Sequence, residues 1–330
     1  MALDPEIRRA LVLPAVCAPM MLVSGPELVS AACRAGIIGA LPSHNARDLA
    51  ELDRWLQEID RDLKSAGADA PRGPLAVNLS GLRKRGETEA ILDLCARFGV
   101  RIIISAMGNP EELVKRAHGR GMRVFHDIVS VRHAEKAIAA GVDGLICVGA
   151  GGGGHSGAIS PLALVPRIRA MFGGTIILAG AAACGAAIRA AEVLGADLCY
   201  LGTRFIATRE ARAPEAYKEM IVRGAADRLL YTRNVTGVAA SWLVESLRAH
   251  GLDPDHLPAA SAPRNYDHLP EGVRPWRDLW SAGQGMELID DIPGVEELVR
   301  RLRAEYVAAC RVPHMADAAS LPAGAAHAGV

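Results

Sequence analysis

The stretch GLICVGAGGGGHSG, residues 144–157, joins a short apolar run to a glycine-rich segment that holds a single histidine. The run from Gly144 to Val148 is typical of a buried β-strand. Glycines directly after a strand let the backbone approach a ligand closely, because no Cβ intervenes. His155 is the one side chain in this segment that titrates near neutral pH. We therefore predict a ligand site at the end of this strand, with His155 handling a proton.

The same pattern of a strand and then a helix recurs along the chain as far as residue 201. The predicted strands are residues 15–20 (the first strand with its exit), 37–41, 75–79, 100–105, 122–126, 143–148, 175–179 and 197–201. They are continuous apolar runs, as expected for a sheet that is covered on both faces. Eight strand–helix units favour an α/β fold of the (β/α)8 TIM-barrel type over an open doubly wound sheet.

This prediction fixes the position of the site, because the active sites of TIM barrels lie at the carboxyl ends of the strands. Residues just past the predicted strands should therefore meet at one mouth. They are Pro19, Met20, Asn78, Ser105, His126, the 149–157 loop, Gly180, Gly202 and Thr203.

The pattern changes after residue 209. Residues 214–223 and 241–250 are predicted as helices, whereas residues 256–275 are rich in proline. We predict a barrel domain at residues 1–212, closed by a C-terminal helix at 294–312. A smaller helical lobe with a segment that covers the active site should occupy 213–293, and residues 313–330 should form a disordered tail.

Composition excludes several functions. The chain has 37 basic and 37 acidic residues, which argues against a nucleic-acid-binding surface. Its seven cysteines form no CxxC pair and no zinc-ligand spacing, so we predict no metal site and a reducing, cytoplasmic location. No uncharged apolar stretch is long enough to predict a membrane span.

The glycines at 149, 151 and 154 match a dinucleotide-binding fingerprint, but no acidic residue follows at the expected distance. A phosphate site is better predicted after the last two strands, at Ala179-Gly180-Ala181 and Gly202-Thr203. Loops at these positions, with a helix N-terminus, form the common phosphate site of TIM barrels. We expected Ala181 to present its N–H without a positive φ.

The two histidines at the predicted mouth are interpreted differently. Around His155 the neighbours are small, which favours catalysis over a packing role. His126 could line a cofactor or cap its strand together with Asp127, and the sequence leaves both readings open. Ser156 adjoins His155 and Cys147 lies inside a strand, so a hydrolase triad is disfavoured.

Taken together, these segments resemble the nitronate monooxygenase family, formerly called 2-nitropropane dioxygenase. The resemblance covers about residues 11–210 and resumes at Trp280-Ser281-Ala282-Gly283-Gln284-Gly285. The segments that carry it are Ala18-Pro19-Met20, Ala76-Val77-Asn78, His126-Asp127, Gly151 to Gly157, Ala179-Gly180-Ala181 and Leu201 to Phe205.

The resemblance implies FMN at the barrel mouth, with its phosphate on Gly180, Ala181, Gly202 and Thr203. The flavin ring would lie near Ala18, Pro19 and Met20, with Asn78 and Gln284 as polar contacts. Further cofactor contacts implied are His126, Gly152, Gly153 and Ala179. His155 would act as a base or position a nitro group, while a nitronate and dioxygen give a carbonyl product and nitrite.

The resemblance leaves alternatives open. An NAD(P)H-dependent quinone or enoyl-thioester reductase can use the same flavin barrel and a histidine in the same loop. A flavin- or phosphate-binding protein without turnover is a reading of another class. In each case we expect a small-molecule ligand, no nucleic acid and no membrane, and the sequence leaves a homodimer open.

Overall fold

Eight parallel strands close into a barrel, which confirms the predicted TIM-barrel fold. The computed structural model describes residues 3–65, 67, 71–80, 85–263 and 265–313. The barrel strands are β1 (Ala15–Cys17), β2 (Ile38–Pro42), β3 (Leu75–Ser80), β4 (Ile102–Ala106), β5 (Arg123–Ile128), β6 (Gly144–Val148), β8 (Thr175–Ala179) and β9 (Leu198–Leu201). They pair in that order, and β9 pairs with β1 to close the ring.

Helices follow the barrel strands and cover the sheet from outside. They are α2 (Pro26–Arg34), α3 (Leu49–Ser65), α4 (Arg85–Arg97), α5 (Glu111–His118), α6 (Val131–Ala139), α7 (Pro161–Arg169), α8 (Gly185–Val193) and the short α9 (Thr203–Ile206). The last helix, α12 (Val295–Ala309), packs against both α8 and α2. It therefore joins the end of the chain to the first barrel repeat.

Side chains alternate between the inside and the outside of the barrel along each strand. Ala76, Ile104, Phe125, Ile146 and Ile177 pack together inside. The outward set packs against the helices and includes Val77, Ile103, Val124, Leu145 and Ile176. The first helix, α1 (Pro5–Arg9), adds Ile7 to the interior cluster and so fills the amino end of the barrel. The carboxyl end is the mouth.

The chain between residues 213 and 293 contains helices and a small antiparallel sheet. Its elements are α10 (Glu215–Arg223), β10 (Leu229–Thr232), β11 (Ala240–Leu243), α11 (Val244–Ala249) and three 3₁₀ turns at Ala226–Arg228, Pro254–His256 and Gln284–Leu288. β11 pairs with β10 and with β7 (Gly154–His155), which lies in the loop after β6. The lobe is thereby tied to the predicted ligand loop.

Two sequence predictions are corrected here. The helix predicted over 241–250 begins only at Val244, because residues 240–243 form β11. Trp242 on this strand is fully buried, so tertiary pairing overrides the ambiguous pattern of a short apolar run. The run 15–20, predicted as a strand and its exit, is a strand only as far as Cys17, since the chain turns where the Met20 N–H donates to Ser24 Oγ at 3.0 Å.

Other predictions stay untested. The tail predicted at 313–330 lies outside the described residues except for Pro313. The domain boundary at residue 212 stays a prediction. Within the described ranges, no helix has both the length and the apolar character required to cross a membrane.

Candidate active site at the barrel mouth

The loop after β6 is held at both ends by backbone hydrogen bonds. The Gly149 N–H donates to Ala179 O at 2.9 Å, and the Gly157 N–H donates back to Val148 O at 3.1 Å. Between them Gly151 and Gly154 have φ values of 81° and 68°, in the left-handed region that favours glycine. The glycine-rich sequence therefore forms a compact loop that folds over the mouth.

The loop after β8 packs directly against it. Gly180 has a φ of 129°, and a Cβ at this position would lie 2.9 Å from Ala150 O. Ala181 has a φ of 58°, and its N–H donates to Gly151 O at 3.2 Å. The expectation that Ala181 avoids a positive φ is wrong. Its N–H is already used by the protein, so Ala181 is a poorer phosphate donor than the sequence suggested.

The loop after β9 and the covering segment complete this side of the mouth. Thr203 Oγ1 accepts a hydrogen bond from the Gly283 N–H at 2.8 Å, and the Gln284 N–H donates to Gly151 O at 2.9 Å. A Cβ at Gly153 would lie 2.8 Å from Gly283 N. We call this interlocked set, Gly151, Gly153, Gly180, Thr203 and Gly283, the glycine edge.

Gly202 differs from the glycines of that edge. Its φ is −102°, and a Cβ there would make only ordinary contacts, 3.7 Å from Met20 Sδ and 3.8 Å from Ala18 Cβ. Neither backbone conformation nor protein packing therefore requires glycine at this position. The backbone at the start of α9 faces room bordered by Ala18 and Met20, which fits a phosphate held by N–H groups.

The exit of β1 is a fixed wall on that side. The Ala18 N–H donates to Leu201 O at 2.9 Å, and Asn45 Nδ2 donates to Met20 O at 2.9 Å. Pro19 lies between them and is partly exposed. The structure thus brings Ala18, Pro19 and Met20 beside the Gly202 loop, as expected from the closure of β9 onto β1.

Polar groups also reach the interior of the mouth. Asn78 on β3 shares the inward face with Ala76, and its Nδ2 donates to Ile104 O at 3.2 Å. Ala179 at the end of β8 is part of the same interior cluster. Gly152 is buried in the loop above, where a Cβ would lie 3.1 Å from Ser156 Cβ.

His126 is not brought to the mouth. It follows Phe125 on β5 and so points to the outer face, where its Nδ1 lies 2.7 Å from Ser105 Oγ. Burial, with a smaller contribution from the charge of His133, lowers its pKa to about 4, so the ring is neutral at ordinary pH. Strand alternation turns the ring away from the mouth, so the geometry does not support His126 as a cofactor contact.

His155 is held by the lobe. It lies opposite Ala240 in the β7–β11 pair, and its ring meets Trp276 edge to face with the centroids 5.2 Å apart. Its Nε2 lies 3.3 Å from Thr236 Oγ1, whose hydroxyl donates to Val238 O at 3.0 Å. Because that hydroxyl proton is used, we infer that Nε2–H is the donor to Thr236, a tautomer in which Nδ1 carries no proton.

Sequence reasoning missed Thr236, Trp276 and Asp127. The first two lie in the lobe far along the chain from His155, and no short motif marks them. Trp276 has a φ of 70°, a strained conformation for a bulky residue. It also stacks against the buried Trp242, with centroids 4.6 Å apart. For Asp127 the sequence indicates only that it could cap the strand together with His126.

The described residues hold no group of three or more His, Cys, Asp or Glu side chains that could bind a metal. Burial raises the pKa of the Cys147 thiol to about 12, so this cysteine is inert as a nucleophile. The mouth is thus defined by backbone loops, one histidine and a few other polar side chains.

These features define a TIM-barrel protein with its site at the carboxyl end of the strands. The chain belongs to the nitronate monooxygenase family, a family of oxidoreductases, because the model of that family matches residues 79–305.

Individual relatives have different names. A nitronate monooxygenase of Paraburkholderia phytofirmans is 28% identical over 88% of this chain and 92% of that protein. A dehydrogenase of Mycobacterium tuberculosis that acts on an indene-carboxyl-CoA is 31% identical over 72% of this chain. The chain spans 48% and 65% of the length of the first curated relatives that it matches.

Among solved structures, a nitroalkane oxidase of Streptomyces ansochromogenes is 27% identical, with a TM-score of 0.74 over 92% of this chain and 99% of that chain. FabK of Thermotoga maritima, at 22% identity and a TM-score of 0.73 over 94% of this chain and 97% of that chain, shares the fold.

Proposed function

We propose that the protein is an FMN-dependent enzyme that oxidises alkyl nitronates with dioxygen to a carbonyl compound and nitrite. Family membership supports the reaction class. The observation that carries the proposal is that the loop after β6 holds both His155 and two members of the glycine edge, Gly151 and Gly153. The same loop therefore reaches both the room beside Gly202 and the proton-handling ring.

FMN fits the residues of the mouth. Its phosphate would take N–H groups of Gly180, Gly202 and Thr203, with little from Ala181, whose N–H already donates to Gly151 O. Ala18, Pro19 and Met20 would border the ring, and Asn78, Gly152, Gly153, Ala179 and Gln284 would line the remainder. When bound, FMN supplies the electron-transfer chemistry, and the protein supplies orientation and proton handling.

His155 would act on the substrate through Nδ1. In the tautomer fixed by Thr236, Nδ1 can accept the proton next to the nitro group of a neutral nitroalkane. With a nitronate, which has already lost that proton, a protonated Nδ1 would instead donate a hydrogen bond to a nitro oxygen. Trp276 keeps the ring in place and limits the access of water to it.

The test is an anaerobic one. The purified protein should be yellow, propyl- or ethylnitronate should bleach the flavin absorbance without air, and air should restore it with release of nitrite. A colourless protein that does not bind added FMN would contradict the cofactor. A yellow protein that no nitronate bleaches would contradict the substrate.

A second candidate is an NAD(P)H-dependent reductase of a quinone or an enoyl thioester. It is favoured by a CoA-thioester dehydrogenase of Rhodococcus jostii, which is 29% identical over 96% of this chain and 84% of that protein. Rapid bleaching by NADH or NADPH, with no response to nitronates, would select this candidate. A yellow protein that is bleached by none of these substrates, with and without the His155→Asn change, would instead indicate a binding protein without turnover.

A small-molecule substrate is common to both candidates. A cytoplasmic location and a homodimer stay predictions.

A further inference from the structure

Asp127 lies inside the barrel near the mouth. It is the penultimate residue of β5, and it shares the inward face with Phe125, which packs in the interior cluster. Its neighbours along the strand, His126 and Ile128, point outward to the helices. A carboxyl group therefore projects into the space above the packed interior, on the face that Asn78 also occupies.

One oxygen of this carboxyl has no protein partner. Asp127 Oδ1 is buried and makes no hydrogen bond in the part of the chain that the structure describes. Burial raises the pKa of the carboxyl to about 7. Buried polar atoms are almost always paired in folded proteins, so an unpaired one close to a ligand site requires an explanation.

Few ionisable side chains face Asp127 from the elements packed around it. The neighbouring strand β4 holds no ionisable side chain, and β6 holds only Cys147, which points outward. From β9 Tyr200 reaches the interior, where burial and then the charge of Asp127 raise its pKa well above the ordinary value. The charged residues of α5 and α6 pack on the outer face. There the charge of His133 contributes to the lowered pKa of His126.

We propose that Asp127 contacts the ligand in the mouth and, in its protonated form, donates a hydrogen bond to an acceptor atom of the flavin ring. This inference rests on the proposed cofactor. Ring nitrogens and carbonyls of a flavin are hydrogen-bond acceptors that need donors from the barrel interior. Asp127 is partly exposed as a residue, so its carboxyl would supply one from the accessible side.

A consequence follows for binding. Above the pKa of Asp127 the carboxylate can no longer donate, and it places a negative charge beside the ring. FMN affinity should then fall as the pH rises. The phosphate of FMN titrates as well, but it does so equally with every variant. The ratio of the FMN dissociation constants of two variants therefore does not contain its contribution.

The experiment compares wild-type protein with Asp127→Asn and Asp127→Ala after removal of cofactor. FMN dissociation constants are measured by fluorescence quenching between about pH 5.5 and about pH 8.5. We expect the ratio of wild-type to Asn dissociation constants to rise roughly tenfold or more across this range. The Asn variant keeps a donor and should bind well throughout, whereas the Ala variant should bind roughly tenfold more weakly than the Asn variant at all pH values.

A ratio that stays constant with pH would overturn the inference. If the variants do not fold, as judged by circular dichroism, wild-type protein alone gives the answer. FMN binding at low pH should then shift the infrared carbonyl band of a protonated carboxyl, and an unchanged band would contradict the contact. Failure to bind FMN at all would remove the proposed cofactor and this inference together. FMN binding with the expected pH dependence, but no response to nitronates, would remove only the proposed reaction.

Discussion

Two sides of the mouth are built in different ways. The glycine edge is held by backbone hydrogen bonds and by close approaches that a Cβ would obstruct, such as that of Gly180 to Ala150 O. The opposite side, which we call the lobe edge, consists of His155, Thr236 and Trp276. There the contacts are between side chains, and two of the three residues come from the remote lobe.

This difference predicts that cofactor binding depends mainly on the glycine edge and that the reaction rate depends mainly on the lobe edge. A backbone-built edge has few adjustable atoms, so changes in it should affect whether a cofactor is retained. An edge built from side chains can be altered without moving the loops, so substitutions in it should change the reaction rate. The predictions below are ordered by the size of the expected effect.

Replacing His155 with Asn should lower the rate with neutral nitroalkanes by roughly 10²- to 10⁴-fold, because a general base is removed. With nitronates, which have already lost the proton, the loss should be below about tenfold. FMN content should be unchanged. Steady-state kinetics on both substrate forms, together with the visible spectrum, measure these effects.

The control is His118→Asn, since His118 lies on the outer face of α5 beside Asp143. An equal loss for both substrate forms would refute the role of His155 as a base. A loss of FMN in His155→Asn would refute the separation of the two edges.

In the glycine edge, Gly180→Val should weaken FMN binding by at least about tenfold and lower stability, because φ is 129° and Ala150 O blocks a Cβ. Gly173→Val is the matched control, since a Cβ there meets nothing within 4 Å. Fluorescence quenching and thermal unfolding separate the two effects.

Gly202→Ala sharpens this test, because the protein itself has room for the new methyl group. Its melting temperature should match wild type while its FMN affinity falls severalfold. Unchanged affinity would place the phosphate elsewhere.

His126 lies outside both edges, but its protonation makes the stability of the protein depend on pH. This dependence should be accounted for before the stabilities of variants are compared. His126 is neutral in the folded protein with a pKa of about 4, whereas the unfolded chain takes up a proton below about pH 6.5. Stability is therefore lost as the pH falls from 6.5 towards 4, by an amount on the order of 1–2 kcal/mol at pH 5.

His126→Asn can keep a partner for Ser105 and should remove this loss. The stability difference between wild type and variant, measured by urea unfolding, should change between about pH 7 and about pH 5. A constant difference would contradict the lowered pKa.

The smallest effect is expected for Thr236→Val in the lobe edge. Loss of one hydrogen bond to Nε2 should reduce the rate roughly 3- to 10-fold and shift its pH profile, because the tautomer is less well fixed. FMN affinity should not change. Thr236→Ser keeps the hydroxyl and should restore both the rate and the profile; a Ser variant as slow as Val would refute the hydrogen-bond role.

The sequence predicts the glycine edge much better than the lobe edge. Glycines after apolar strands are a local signal, and strand order in a barrel then brings Gly151, Gly180 and Gly202 together. The sequence did not predict that the Ala181 N–H donates to Gly151 O, since this hydrogen bond depends on a contact between two loops. Thr236 and Trp276 have no local signal, because they approach His155 only through the pairing of β7 with β11.

The sequence leaves the directions of the His126 and Asp127 side chains open for one physical reason. The two residues are adjacent, but strand alternation sends one ring outward and one carboxyl inward. A strand boundary uncertain by one residue reverses such an assignment. The number of strands does not change when a boundary shifts by one residue, so the fold could be predicted. The side of the strand on which each of these two side chains lies could not.

Helix α12 also bears on how the chain is made. Its buried face, Val295, Leu298, Val299 and Leu302, seals the barrel between α8 and α2, and Glu305 accepts a hydrogen bond from the Gly185 N–H at 2.7 Å. The ribosome synthesises α2 early and α12 late. The first repeat must therefore wait, with apolar surface uncovered, until the last helix emerges, so the nascent chain should depend on chaperones up to that moment.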